Sequence, residues 1–173
     1  AEYAFFVKAY AEHADASNFP RENARFFSLL NSSAAKDHPA VIAAADSFLA
    51  YHDGSEFVPK ALVMRGNARL AQREFDAARD DYRQVMDRFP MSEESDHARM
   101  QTARTFYDEK NFTEAVRAYQ DLESSLTGET ELSEVRYFLG MSQFNAGALD
   151  EAAASLRQVA PSSPFYPYAF GRT

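Results

Sequence analysis

Apolar positions recur along this chain in steps of three and four, the spacing that lines one face of an α-helix. Val41, Ala45 and Phe48 form one such run, and Ala78, Tyr82 and Val85 form another. The runs come in pairs, and the pairs return. Gly66, Ala103 and Gly140 stand 37 residues apart, as do Ala78, Ala115 and Ala152; Phe75, Phe112 and Leu149; and Tyr82, Tyr119 and Leu156. Each unit holds two amphipathic helical stretches, neither of which can bury its apolar face without a neighbour, so stacking of units is the natural solution. The pattern predicts an all-α fold, an α-solenoid of stacked antiparallel helical hairpins with about nine helices, folded as one unit over residues 1–173.

Along the chain, residues 1–19 read as an N-terminal capping helix with Tyr3, Phe6, Val7 and Tyr10 on one side. Hairpins are expected at 20–53, 56–90, 94–126 and 131–160, and 161–173 reads as the start of a further repeat that is cut short. Asn18 is placed to cap the helix that carries Phe26, Phe27, Leu29 and Leu30, with Pro20 in its first turn and its end near Leu30. A polar connector over 31–36 follows, and Asp37 can then cap a helix from His38 to about His52. Short inner turns are expected at 71–74, 108–111 and 145–148. By the period, Val135 is matched by Arg172, so further chain is expected past Thr173. The aromatics Phe165, Tyr166, Tyr168 and Phe170 then stay uncovered unless they fold back on the last hairpin or meet that chain.

The small residues have a packing reason. At 66, 103 and 140 they let the first helix of a hairpin approach the second, and Ala78, Ala115 and Ala152 do the reciprocal job. Only 6 Gly and 7 Pro interrupt a composition rich in helix formers, and Pro39, Pro59, Pro90, Pro161 and Pro164 fall in expected connectors. The net charge of −8 is the wrong sign for a sequence-independent phosphate binder, so nucleic acid is not an expected partner. No apolar run is long enough to span a bilayer as a helix. The absence of cysteine excludes disulfides and thiolate metal sites but leaves the compartment open. The start at Ala1-Glu2 fits equally a processed N-terminus and an excised piece.

The columns resemble the tetratricopeptide repeat, which places a small residue on the first helix, Ala-x3-aromatic on the second and Pro after it. The matches are Gly66, then Ala78-x3-Tyr82 and Pro90; Ala103, then Ala115-x3-Tyr119; and Gly140, then Ala152-x3-Leu156 and Pro164. Departures stand at Arg65 and Thr102, where the family prefers a large apolar residue, at Arg69 and Gln143 in place of an aromatic, and at Thr127 in place of the proline. The resemblance implies a right-handed superhelix whose inner face is lined by the first helix of each hairpin. Carried over by register, three columns face that side: Val63, Met100 and Tyr137; Asn67, Arg104 and Met141; and Leu70, Tyr107 and Phe144. Such a strip suits a peptide groove, with apolar anchors and polar groups that fix a partner's backbone. The same periodicity also suits plain packing between adjacent first helices.

Connector length and composition, as in the stretches 48–55 and 89–92, are similar to bacterial envelope repeat proteins, in the style of the Tol-Pal-associated periplasmic coordinator and the lipoprotein of the outer-membrane assembly machine. The groove columns and the lack of catalytic motifs point to a non-catalytic adaptor that binds a protein or peptide, and the resemblance implies work in cell-envelope assembly or maintenance, with a periplasmic location and a cytoplasmic one as the alternative. Two other functions stay open: the helical arm of a larger enzyme such as a cell-wall hydrolase, and a self-assembly module joined through its ends.

His13, His38, His52 and His97 are scattered without ligand spacing, so no metal or other cofactor is expected. The acidic stretches 92–96 and 128–134 read either as solvated helix starts or as surfaces for a cation or a basic partner. Asn31-Ser32-Ser33 and Asn111-Phe112-Thr113 match a glycosylation pattern by accident, since Phe112 is an expected core residue. No phosphate-cradling glycine loop, nucleophile elbow or acid/base pair stands out, and no catalytic residue is expected.

Overall fold

The computed structural model describes residues 21–170. The capping helix expected over 1–19 lies outside the described residues. Among those described there are nine helices and no strand: α1 (Arg21–Ala34), α2 (His38–Tyr51), α3 (Val58–Ala71), α4 (Phe75–Arg88), α5 (Glu93–Asp108), α6 (Phe112–Ser125), α7 (Glu129–Asn145), α8 (Leu149–Arg157) and α9 (Tyr166–Phe170). The first eight pair in sequence as hairpins. Each helix packs on the next, and the first helices α1, α3, α5 and α7 also meet one another in turn, which is the contact pattern of a solenoid.

Capping side chains start several of these helices. Asp37 Oδ1 accepts the Ala40 N–H at 3.1 Å and Ser92 Oγ accepts the Ser95 N–H at 3.2 Å, each relieving a donor that has no partner within its helix. Pro39 and Pro59 lie inside first turns rather than in connectors, where a missing N–H breaks no helical bond. Helix α1 runs one turn past Leu30, through Asn31, Ser32 and Ser33, because those polar residues lie toward solvent and Ser32 Oγ bonds back to the Ser28 carbonyl at 3.0 Å.

The inner turn of every hairpin is one device used four times. Lys36, Arg73, Lys110 and Gly147, each 37 residues from the next, have φ of 55°, 64°, 67° and 88°. The residue after each donates its N–H back into the first helix: Asp37 to Ser32 at 3.2 Å, and Glu74 to Arg69, Asn111 to Phe106 and Ala148 to Gln143 at 2.9 Å. These bonds close the left-handed helix end of a Schellman motif and aim the chain into the second helix. The first hairpin therefore shares the register of the others.

Packing within the hairpins follows the small-residue columns. A Cβ added at Gly66 would stand 2.6 Å from the Tyr82 ring, and one at Gly140 would stand 2.7 Å from Leu156. Ala78, Ala103, Ala115, Tyr82, Tyr119, Val85 and Val135 are wholly buried. Two departures from the repeat pattern, Arg65 and Arg69, converge on Asp81 of α4, which has no exposed surface. Arg65 Nε lies 3.1 Å from both Asp81 oxygens and Nη2 2.6 Å from Oδ1, while Arg69 Nη1 lies 2.8 Å from Oδ2. One repeat on, the positions of Arg69 and Asp81 are held by Phe106 and Ala118; two repeats on, they are held by Gln143 and Ser155. There Ser155 Oγ–H donates to Gln143 Oε1 at 2.8 Å. These three hairpins thus fill the same pair of positions with different chemistry: ionic, apolar, then neutral hydrogen bond.

Part of the tail folds back. Phe165 stacks on Tyr137 at 5.2 Å and meets Phe138 edge-on at 5.7 Å, and Tyr168 meets Tyr137 edge-on at 6.4 Å. Tyr168 and Phe170 remain exposed.

Candidate functional site

The first helices leave a cleft between them. One lobe of about 550 Å³ is lined by Asn67, Leu70, Ala71, Arg73, Phe75, Gln101 and Asp108. A second, of about 240 Å³, is lined by Leu70, Met100, Gln101, Arg104, Asp108, Tyr119, Glu134 and Phe138. Leu70, Gln101 and Asp108 belong to both, so the lobes form one depression running from α3 across α5 to α7.

Four of the nine expected groove residues, Asn67, Leu70, Met100 and Arg104, line this cleft, and the other five do not. Val63 is buried in the core. Tyr107 is half-buried, edge-on to Phe112 at 5.9 Å and to Phe138 at 5.5 Å. Tyr137 is covered by the chain's own Phe165. Met141 is half-buried outside the lining, and Phe144 is exposed near the end of α7. Sequence reasoning did not include Ala71, Arg73 and Phe75 at one end of the cleft, nor Gln101, Asp108, Tyr119, Glu134 and Phe138. Gln101 and Phe138 each follow a residue of the chosen Val63, Met100 and Tyr137 column by one position, and a helix face is wider than a single stripe. Tyr119 looked like core alone.

Polar groups in the cleft are arranged by register. Position 67 faces position 82 within a hairpin, and Tyr82 Oη–H donates to Asn67 Oδ1 at 2.8 Å. Two repeats on, both positions are apolar, Met141 and Leu156. In the middle hairpin Arg104 stands opposite Tyr119 but turns away. Its Nε lies 3.0 and 3.1 Å from the two Asp108 oxygens, and its guanidinium lies 4.5 Å above the Phe138 ring. The Tyr119 hydroxyl, on a wholly buried side chain, has no hydrogen-bond partner. Burial pushes both phenols well above the ordinary tyrosine range, so each remains a neutral hydroxyl. Burial lowers the His97 imidazole, against the upward pull of Glu134 and Glu94, and His97 Nε2 stands 3.5 Å from Asn67 Nδ2 at the rim.

Among the described residues no group of three His, Asp or Glu side chains is placed to hold a metal ion. No helix among them is long and apolar enough to cross a membrane.

The class this fold defines is an α-solenoid of tetratricopeptide-like hairpins with a cleft along its first helices. Residues 63–128, from the middle of α3 to the residue before α7, match the tetratricopeptide repeat family. No curated protein matches the chain by sequence. Among solved structures the chain is similar to MamA 41-end from Desulfovibrio magneticus RS-1, with a TM-score of 0.68, 10% identity, and coverage of 82% of this chain and 75% of that one. The MamA RS-1 ArsTM double mutant gives 0.68 and 10%, covering 82% and 74%, and MamA MSR-1 C2 gives 0.61 and 15%, covering 80% and 75%. At these identities the likeness is one of fold.

Proposed function

We propose that this chain is a non-catalytic interaction scaffold that holds a segment of a partner protein in the cleft between α3, α5 and α7. The observation that carries the reading is the continuity of the two lobes through Leu70, Gln101 and Asp108, which makes one surface of apolar and polar groups from three successive hairpins. That mixture suits an extended or helical peptide, whose side chains bury on Leu70, Met100 and Phe138 while its backbone meets Asn67 and Gln101. The finer reading, service in assembly or maintenance of a bacterial cell envelope from the periplasm, is supported by the connector style of 48–55 and 89–92.

The test is affinity capture on the immobilised chain from fractionated extracts of the source organism, beside a Gln101→Trp variant. The new indole fills the cleft at the junction of its lobes, and circular dichroism checks that the variant keeps its helices. A protein held by the parent and lost by the variant is the expected result, and the fraction that supplies it gives the compartment. Equal retention by both, or none by either, would refute the cleft as the binding surface.

A further inference from the structure

Within this cleft the smaller lobe has a chemistry of its own. At about 240 Å³ it falls below the ~300–1,000 Å³ of sites that enclose a whole small ligand. A single long side chain is the occupant that scale suits. Its charges do not balance. Arg104 is the one cation on the lining and faces two carboxylates, Asp108 and Glu134. The Arg104 guanidinium is engaged by both oxygens of Asp108 and by the face of Phe138. Glu134 has no ion-pair partner among the described residues.

A second and independent observation points to the same place. The Tyr119 side chain is wholly buried yet lines this lobe together with Arg104, Asp108 and Glu134, and its hydroxyl has no hydrogen-bond partner. The equivalent hydroxyl one repeat earlier, on Tyr82, is satisfied within its own hairpin by Asn67. A buried hydroxyl left without a partner costs about 1–3 kcal/mol, so its retention beside an unbalanced carboxylate calls for a ligand that bonds both.

We propose that this lobe is a receptor for one basic side chain, a lysine or arginine carried by the partner segment. The cation donates to Tyr119 Oη and Glu134, and its alkyl stem lies along Leu70 and Met100. The proposal rests on the cleft reading above and adds the charge of the residue that enters. An acidic side chain is disfavoured there, since it would meet Glu134 and Asp108 with Arg104 already engaged.

A random-peptide display library selected on the whole chain provides the probe. Enriched peptides are expected to share a Lys or Arg. Replacing that residue by norleucine should lower affinity about tenfold, the scale of one hydrogen bond to a charged group. Glu134→Gln should lower it by a similar factor. Tyr119→Phe should lower it at least several-fold while leaving the melting temperature unchanged or higher, which a purely structural tyrosine would not do. Peptides that are blocked by Gln101→Trp but indifferent to Glu134→Gln and Tyr119→Phe would overturn the basic-residue proposal and leave the cleft standing. Peptides that bind Gln101→Trp as well as the parent, or no enrichment at all, would overturn both.

Discussion

Tyr82 and Tyr119 occupy the same place in successive hairpins, and both are wholly buried, but only Tyr82 has a partner for its hydroxyl. Removing each oxygen should therefore have different consequences. Tyr82→Phe is expected to lower stability by about 1 kcal/mol, while Tyr119→Phe should be neutral or stabilising, as denaturant titration of the two variants can read. Asp81 is a sharper case, because it joins two guanidiniums from the facing helix. Asp81→Ala leaves Arg69 without its carboxylate and Arg65 with Asp46 alone; with the Arg65 and Arg69 side chains 13% and 20% exposed, solvent and Asp46 soften the loss to roughly 2–3 kcal/mol, below that of a fully buried pair. At His97 the folded chain disfavours the proton relative to the unfolded one. Its contribution to stability is then full above about pH 6.5 and declines as pH falls below that value. His97→Gln should flatten the acid side of a melting-temperature profile in that window; an unchanged slope would count against the lowered imidazole. These pairings also explain two of the departures from the family pattern. Arg65 and Arg69 break the family pattern one residue at a time, and they make sense only beside Asp81, which single columns do not bring together.

At the level of the element, the turn that closes each hairpin depends on backbone more than on side chain. Lys36, Arg73 and Lys110 adopt positive φ where only the last repeat has glycine. Lys110→Gly is expected to stabilise the chain by about 0.5–1 kcal/mol, the relief of a left-handed side-chain clash less the extra freedom glycine gives the unfolded state. Gly147→Ala should cost about 1 kcal/mol, and because a Cβ there meets nothing within 4 Å the loss is conformational alone. Thermal melts of the two variants should move in opposite directions. This column was not legible beforehand, although it keeps the same 37-residue register as the others. Lysine and arginine carry no preference for positive φ, so nothing in their identity marked the turn. Helix capping was more open to reading, since Asp37 has a side chain whose chemistry matches the task. The end of α1 was not, because Asn31, Ser32 and Ser33 read as connector until their outward placement is known.

Over the whole molecule, stability is built from hairpins and the contacts between neighbours, and that makes distant lesions separable. Gly66→Ala and Gly140→Ala each press a methyl into a facing side chain at under 3 Å, and each should cost about 1–3 kcal/mol. With a full hairpin between them, the double variant should lose the sum to within about 0.5 kcal/mol; a larger departure in urea titration would mean that strain travels along the stack. The architecture was readable because its cause is repeated, with small residues and rings recurring in one register. The cleft was less so. Register alone selects a helix face, but the packing of the tail and of neighbouring helices decides which residues of that face line the cleft. Tyr137 is covered by the tail, Phe144 stays exposed but outside the cleft, and Gln101, Glu134 and Tyr119 line it. The packing of Phe165 against Tyr137 and Phe138 also gives the cleft a terminus. On the binding mode proposed above, a partner laid across α3 and α5 would reach α7 to find the next stretch taken by the chain itself, and would have to stop or turn outward there. The surface would then act as a gauge of length, favouring a segment that ends or bends on schedule over one of the same composition that runs on.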